Sequence, residues 1–311
     1  MKKNFGKKAA SVMAVAALSL SLVACGNGGS TEAASEAADA SAGTASTAVT
    51  TSNNSGSENS QKPLVWFNRQ PSNSSTGELD MGALTYNDKT YYVGFDANQG
   101  ADLQGEMVLD YIKANADTID RNGDGVIGYV LAIGDIGHND SIARTRGVRK
   151  ALGTGVEKDG DVDSTPAETN TDGSASVVQD ATLEVDGKTY KIRELASHEM
   201  KNSAGATWDA ATAGNTIGTW TASFGDQIDV VVSNNDGMGM SMFNAWAKDN
   251  KVPTFGYDAN SDAVAAIAEG YGGTISQHAD VQVYLTLRVL RNALDGADVD
   301  TGIGTADDAG N

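Results

Sequence analysis

From residue 63 onward, apolar positions recur in two periods, and the periods take turns along the chain. Short runs rich in Val, Ile, Phe and Tyr predict strands at 63–67, 91–95, 127–133, 228–233, 253–257 and 273–276. Between them, spacings of three and four residues predict helices: one carrying Leu103, Met107, Val108, Tyr111 and Ile112, then 141–152, 238–248, 261–269 and 281–294. Strands alternating with helices in this way imply an α/β fold, with parallel sheets flanked by helices. A hairpin is expected over 182–195 around Asp186-Gly187, and a polar insertion occupies 159–175. Past Asp295, over 296–311, the chain becomes an acidic, glycine-rich tail.

The residues before 63 follow neither period. Lys2, Lys3, Lys7 and Lys8 precede the apolar run 9–23, which is too short to span a bilayer and has the form of a signal-peptide core. The run ends in Leu22-Val23-Ala24-Cys25, which resembles a bacterial lipobox. The expectation is a lipoprotein signal peptide over 1–24, with Cys25 as the lipidated first residue of the mature chain. The alternative is an ordinary secretory signal with an incidental cysteine. Residues 25–62 are rich in Gly, Ser, Ala, Thr and Asn and lack the apolar content to order themselves, so they predict a disordered tether. The chain is then exported and lipid-anchored to the outer face of the bacterial cell membrane, touching the membrane through the lipid alone.

Composition narrows the field further. With 311 residues, 40% of them apolar, the chain can fill one large domain or two lobes. Its 41 Asp and Glu against 22 Lys and Arg give a net charge of −19, which repels phosphate backbones and argues against nucleic acid as a partner. A single cysteine excludes a disulfide framework and a cysteine-rich metal site.

Candidate chemistry collects where the predicted strands end. The residues there are Asn68-Arg69-Gln70, then 134–140 with Asp135, His138 and Asp140, then Asn234-Asn235-Asp236, Asp258-Ala259-Asn260, and Gln277-His278. In open α/β sheets a ligand lies beyond the carboxyl ends of the strands. Amides, carboxylates and an imidazole of fixed geometry suit a polyhydroxylated ligand. Any one of these residues could equally be a turn or helix cap, and it is their recurrence at five strand ends that favours a sugar-type ligand.

A second motif runs from Asp120 to Gly128. Asp120, Asn122 and Asp124 occupy positions 1, 3 and 5 of an EF-hand-like loop, Gly125 occupies position 6, and Val126 would offer its carbonyl. The expectation is a structural calcium ion, the alternative a plain Asp/Asn/Gly turn. Position 12 is Leu131 in place of a glutamate, so a closing carboxylate must come from elsewhere.

These stretches together resemble the galactose/glucose-binding proteins, substrate-binding components of bacterial sugar importers. The resemblance is carried by 65–72, Tyr91-Tyr92-Val93-Gly94, the calcium loop, 134–144 with its Gly-His-x-Asp-x-x-x-Arg, Thr207-Trp208-Asp209, 230–237 and 255–259. It implies a two-lobed periplasmic-binding fold and places sugar contacts on Asn68, His138, Asp140, Arg144, Trp208, Asn235 and Asp258, with Gln277 where the family has an asparagine. Trp208 would stack on the pyranose and Arg144 would grip ring and neighbouring oxygens. The resemblance also assigns the closing calcium carboxylate to Asp229, a residue shorter than the family's glutamate, while Gly128 replaces a side-chain ligand. Both changes imply a reduced affinity.

On this reading residues 63–152 hold part of the N-terminal lobe and the calcium loop running into the C-terminal lobe, and 153–295 complete that C-terminal lobe. Roughly a hundred residues that open the family's N-terminal lobe have no counterpart, by the usual size of such units. The N-terminal lobe is therefore expected to be incomplete, and its missing part to come from a second chain, from a permuted gene with a downstream segment beyond Asn311, or from a truncated sequence. The implied function is a non-enzymatic receptor that closes on a hexose, galactose or glucose, and delivers it to the permease of an ABC importer. Two alternatives are a carbohydrate-active hydrolase using Asp140 or Asp258 with His138, and a calcium-dependent surface sugar sensor without a transport role.

Overall fold

A computed structural model describes residues 62–72, 80–167 and 177–303. These lie in one compact unit, Gly43–Asn311. The expected signal peptide, Cys25, the tether up to residue 61, positions 168–175 of the insertion and the tail from 304 lie outside the described residues.

The elements, in chain order, are β1 (Leu64–Asn68), α1 (Met81–Leu84), β2 (Thr90–Gly94), α2 (Ala97–Ala114), α3 (Ala116–Ile119), β3 (Val126–Ile133) and α4 (Asn139–Leu152). There follow β4 (Glu157–Lys158), β5 (Asp161–Val162), β6 (Ala181–Val185), β7 (Lys188–Glu199), α5 (Ala210–Phe224), β8 (Val230–Ser233) and α6 (Asp236–Met242). The chain ends through β9 (Thr254–Phe255), α7 (Ser261–Ala266) and α8 (Ala279–Asp295). The main sheet has the order β6-β7-β3-β8-β9, parallel except for the β6–β7 hairpin. β1 and β2 form a separate parallel pair, and β4 and β5 a short antiparallel ribbon.

The core is built on β3. Seven of its eight residues are buried, as a central strand covered on both faces requires. Alternation along it feeds two apolar layers. Tyr129, Leu131 and Ile133 join Val108, Ile112 and Val148 of α2 and α4 on one face. Val130 and Ala132 join Ile217 of α5 and Met238 and Met242 of α6 on the other. Between β3 and β7 the register slips at Tyr129 and Val130, which pair with Glu194 and Ala196 and leave Leu195 as the extra residue of a bulge. Gly128 sits under that bulge. A Cβ there would lie 2.1 Å from the Gln227 carbonyl and 2.7 Å from a Leu195 methyl, so only glycine fits.

Four expectations need correction. The strand at 273–276 is reduced to a single bridge, Gly273 to Phe255, because β9 is only two residues long and the chain then leaves the sheet for α8. The hairpin is longer than expected, since β7 continues to Glu199 and becomes a full member of the main sheet. The helix expected at 238–248 starts at Asp236 and widens after Met242 into a π turn, Phe243–Ala247. Helix α5 was not expected at all. Its buried residues, Ala213, Ile217 and Trp220, with Phe224 packed beside them, do follow a helical spacing, but one set among Ala, Thr and Gly that dilute the apolar signal.

Helix α8 lies against β1 and β2. Its outer side exposes Val283, Tyr284, Leu287 and Leu294, and among the described residues neither outer edge of the β1–β2 pair has a partner. No described helix is long and apolar enough to cross a membrane.

Candidate ligand-binding site

The centre of the site is Arg144, 3% exposed on the first turns of α4. Its Nη1 donates to the Asn234 carbonyl at 2.8 Å, and its guanidinium lies 3.6 Å from the centre of the Tyr257 ring. Two carboxylates face it at longer range: Asp140 at 3.5 Å from Nη2 and Asp258 at 3.8 Å from Nη1. Its Nε is buried with no hydrogen-bond partner among the described residues, leaving a donor for a bound molecule. Burial pushes both carboxyls upward, and Arg144 pulls both back.

His138 caps α4, its Nδ1 accepting from the Asp140 amide at 3.1 Å. Burial, together with the nearby charges of Arg69 and Arg144, lowers its pKa from 6.5 to about 4, so it is a neutral imidazole at physiological pH. It meets Trp208 edge to face, with centroids 5.4 Å apart. Trp208 is partly buried, has a positive φ of 60°, and is tied by its amide to the Gly134 carbonyl at 3.2 Å. Gly134 makes room for the indole: a Cβ there would stand 2.2 Å from the ring. The expected Trp208, His138 and Arg144 therefore stand together, the guanidinium 5.8 Å from the indole centroid.

The remaining expected contacts divide. Asp258 and Gln277 are joined, the Gln277 amide donating to Asp258 Oδ1. Asn235 caps α6, its Oδ1 accepting from the Met238 amide at 2.9 Å, which leaves its Nδ2 for other partners. Asn68 ends β1 at a positive φ of 61°, and its carbonyl accepts from Tyr92 Oη at 3.1 Å. Burial first, and then the nearby charges of Asp140 and Asp96, raise the Tyr92 pKa.

Sequence reasoning named Asn234 and Asp236 only as members of a strand-end cluster, without their supporting roles, and missed Gln104. Asn234, fully buried, accepts at Oδ1 from the Gly134 amide at 3.1 Å and from Ser141 Oγ at 2.7 Å, so it fastens β8 to the turn carrying Asp135 and His138. Gln104 of α2, also fully buried, donates to the Ser233 and Gly256 carbonyls and clasps the ends of β8 and β9. Asp236 accepts from Tyr271, Thr274 and the Asn260 amide, and burial pushes its pKa up to about 6. Strand alternation was the available signal for Tyr257, which lies two residues after Phe255. Nothing in the spacing pointed to Gln104.

The loop 120–128 is closed largely on itself. Asp120 accepts from the Gly123 and Gly125 amides, each at 2.8 Å, Asn122 from Asp124, and Asp124 from Val126. Asp229 reaches it, but its two oxygens accept from the Arg121 and Gly128 amides at 2.9 and 2.8 Å. Among the described residues no three His, Cys, Asp or Glu side chains are grouped to hold a metal ion. The side-chain oxygens of Asp120, Asn122 and Asp124 fit a hard divalent cation. The closing position is weak, since Asp229 is occupied by amides and the bulge requires glycine at 128.

A family model described as a periplasmic binding protein domain matches residues 79–298. The chain is 28% identical over 243 residues to the D-galactose/methyl-galactoside binding periplasmic protein of Haemophilus influenzae, covering 77% of this chain and 59% of that protein. A xylitol-binding protein of Mycolicibacterium smegmatis is 35% identical over 99 residues, 31% of this chain and 28% of that one. Among solved structures, an ABC transporter solute binding protein from Actinobacillus succinogenes with bound D-allose gives a TM-score of 0.48 at 18% identity, covering 71% of this chain and 62% of that one. The chain spans less than two thirds of the length of each of these proteins.

Proposed function

The chain belongs to the periplasmic binding protein family, and from that premise we propose that it is an extracytoplasmic receptor that binds a sugar and presents it to an ABC importer. The observation that carries the proposal is Arg144, buried between two carboxylates that it does not fully engage and beside an indole face. A sugar hydroxyl both donates and accepts. It can accept from Arg144 while donating to Asp140 or Asp258, and the apolar face of the ring can lie on Trp208. A hexose is the preferred ligand, a choice supported by the relative named for D-galactose. The chain is a binder without covalent chemistry: the sugar bridges the main-sheet rim and the β1–β2 end, and it favours the closed arrangement by its differential affinity.

Three further elements belong to the proposal. Cys25 carries the lipid that anchors the receptor outside the membrane. Calcium is held at Asp120, Asn122, Asp124 and the Val126 carbonyl with low affinity, and when bound it neutralises charge in the α3–β3 turn. A second chain or a further segment covers the open edges of β1 and β2 and the apolar side of α8, which completes the N-terminal lobe. The test is calorimetric titration with D-galactose, D-glucose, D-allose, D-ribose and xylitol. Micromolar binding of a hexose is the expected result, and failure to bind any of the five would overturn the receptor reading for this chain.

A further inference from the structure

We propose that Gln277 is a positioning residue: it holds the Asp258 carboxylate off Arg144, so that the gap between them stays open to a ligand oxygen. The proposal rests on the receptor reading of this site. The molecule supplies its own control. Arg149 and Glu194, also buried, close into a fork with contacts of 2.7 and 2.9 Å, as an arginine and a carboxylate in a poorly solvated interior should. Arg144 and Asp258 are buried less completely but remain 3.8 Å apart. What differs is a set of tethers from outside the pair. The guanidinium is fixed by the Asn234 carbonyl and the Tyr257 ring. Asp258 Oδ1, the oxygen nearest Arg144, is bonded to the Gln277 amide.

The backbone around Gln277 is arranged to hold that amide in place. Its carbonyl accepts from Gln282 Nε2 at 2.7 Å, and Gln282 is 4% exposed. His278 follows at a positive φ of 50°, with its amide on Ser276 Oγ at 3.1 Å. Asp258 is fixed from its own side, with a φ of 110° and its amide on the Ile275 carbonyl at 2.8 Å. An asparagine at 277 would fall one methylene short of this reach. The same strap leads into α8, which lies against β1 and β2.

The experiment compares wild type with Gln277→Leu, which removes the donor and keeps most of the volume, and Gln277→Asn, which keeps a donor that is too short. Crystal structures of the free proteins should show the Arg144–Asp258 separation falling to about 3 Å in both variants. Their melting temperatures should hold or rise as the ion pair closes, while affinity for D-galactose drops about tenfold or more. Three results would overturn the proposal: a separation unchanged in the free variants, a melting temperature that falls together with affinity, or full affinity in Gln277→Asn. Should wild type bind none of the sugars, the receptor reading fails while the free structures still decide the role of Gln277. Should Gln277→Leu not fold, the asparagine variant decides it.

Discussion

Arg144→Lys keeps a positive charge between Asp140 and Asp258 but removes the planar fork. In the wild type one Nη donates to the Asn234 carbonyl at 2.8 Å, the plane rests 3.6 Å from Tyr257, and Nε has no partner among the described residues. A lysine ammonium replaces one of these functions and loses the others. The loss at the ligand is one charge-assisted hydrogen bond, about 1.5–3 kcal/mol, which weakens D-galactose binding by about 10- to 160-fold, while the lost contact with Tyr257 falls on folding. Folding should lose under about 2 kcal/mol, because both carboxylates keep a counter-ion. Arg144→Met behaves differently: it leaves two buried carboxylates unpaired and should cost about 3–5 kcal/mol of stability. Calorimetric titration and urea denaturation read the two effects separately. A lysine variant that binds within threefold of wild type would refute the placement of Arg144 on the ligand, and a methionine variant of wild-type stability would refute the electrostatic argument.

Arg149→Met should destabilise the protein by about 3–5 kcal/mol by stranding Glu194, and adding Glu194→Leu should recover most of that loss, as read from denaturation midpoints. His138 stays neutral in the folded chain down to a pKa of about 4, while the unfolded chain takes up its proton near 6.5. The unfolded state therefore binds more protons between those values, and this residue's contribution, up to about 3 kcal/mol, is lost as pH falls through them. His138→Asn keeps a helix cap and should show a flatter acid limb than wild type in denaturation at pH 4.5 and 7, and equal slopes would count against the assignment. Calcium at about its own millimolar-class dissociation constant should add about 0.4 kcal/mol, a rise in melting temperature of about 1–2 °C relative to chelator. A rise above about 5 °C would mean that the loop is closed by a stronger ligand set.

The alternation of strands and helices was legible wherever burial imposes a period. β3 and α2 stand where the pattern predicted them, because a strand covered on both faces and an amphipathic helix leave unmistakable apolar spacing. α5 carries the same kind of spacing at 213, 217, 220 and 224, but the Ala, Thr and Gly between these positions blur it. In the site, His138 and Asp258 could be named from their positions after the strands, and Arg144 and Trp208 only through the family resemblance. The arranging roles of Asn234, itself a strand-end candidate, and of Gln104 could not be named. Asn234 and Gln104 act through single bonds across 90 to 152 positions of sequence, and no local period encodes such a bond. Asn235 illustrates the limit of residue type alone, for its side-chain oxygen is taken by a helix cap, while the buried amide doing the cross-linking is its neighbour Asn234.

The polar insertion is fastened where it leaves the domain and where it rejoins it. On the outgoing side, Arg149 donates to the Asp163 and Thr165 carbonyls at 2.6 and 2.9 Å, and the Ala167 amide reaches Ser197 Oγ at 2.7 Å. On the returning side, Val178 bridges Gly155, and the Gln179 amide bonds the Thr154 carbonyl at 2.9 Å. The outgoing end is thus fastened to α4 and to the last residues of β7, and the returning end to the segment that follows α4. A foreign domain spliced between 167 and 178 would inherit two preset attachment points, and lengthening a closed loop adds only about 0.6 kcal/mol per doubling. That makes the stretch a natural port for a fluorescent reporter, inserted without changing any residue of the proposed sugar site.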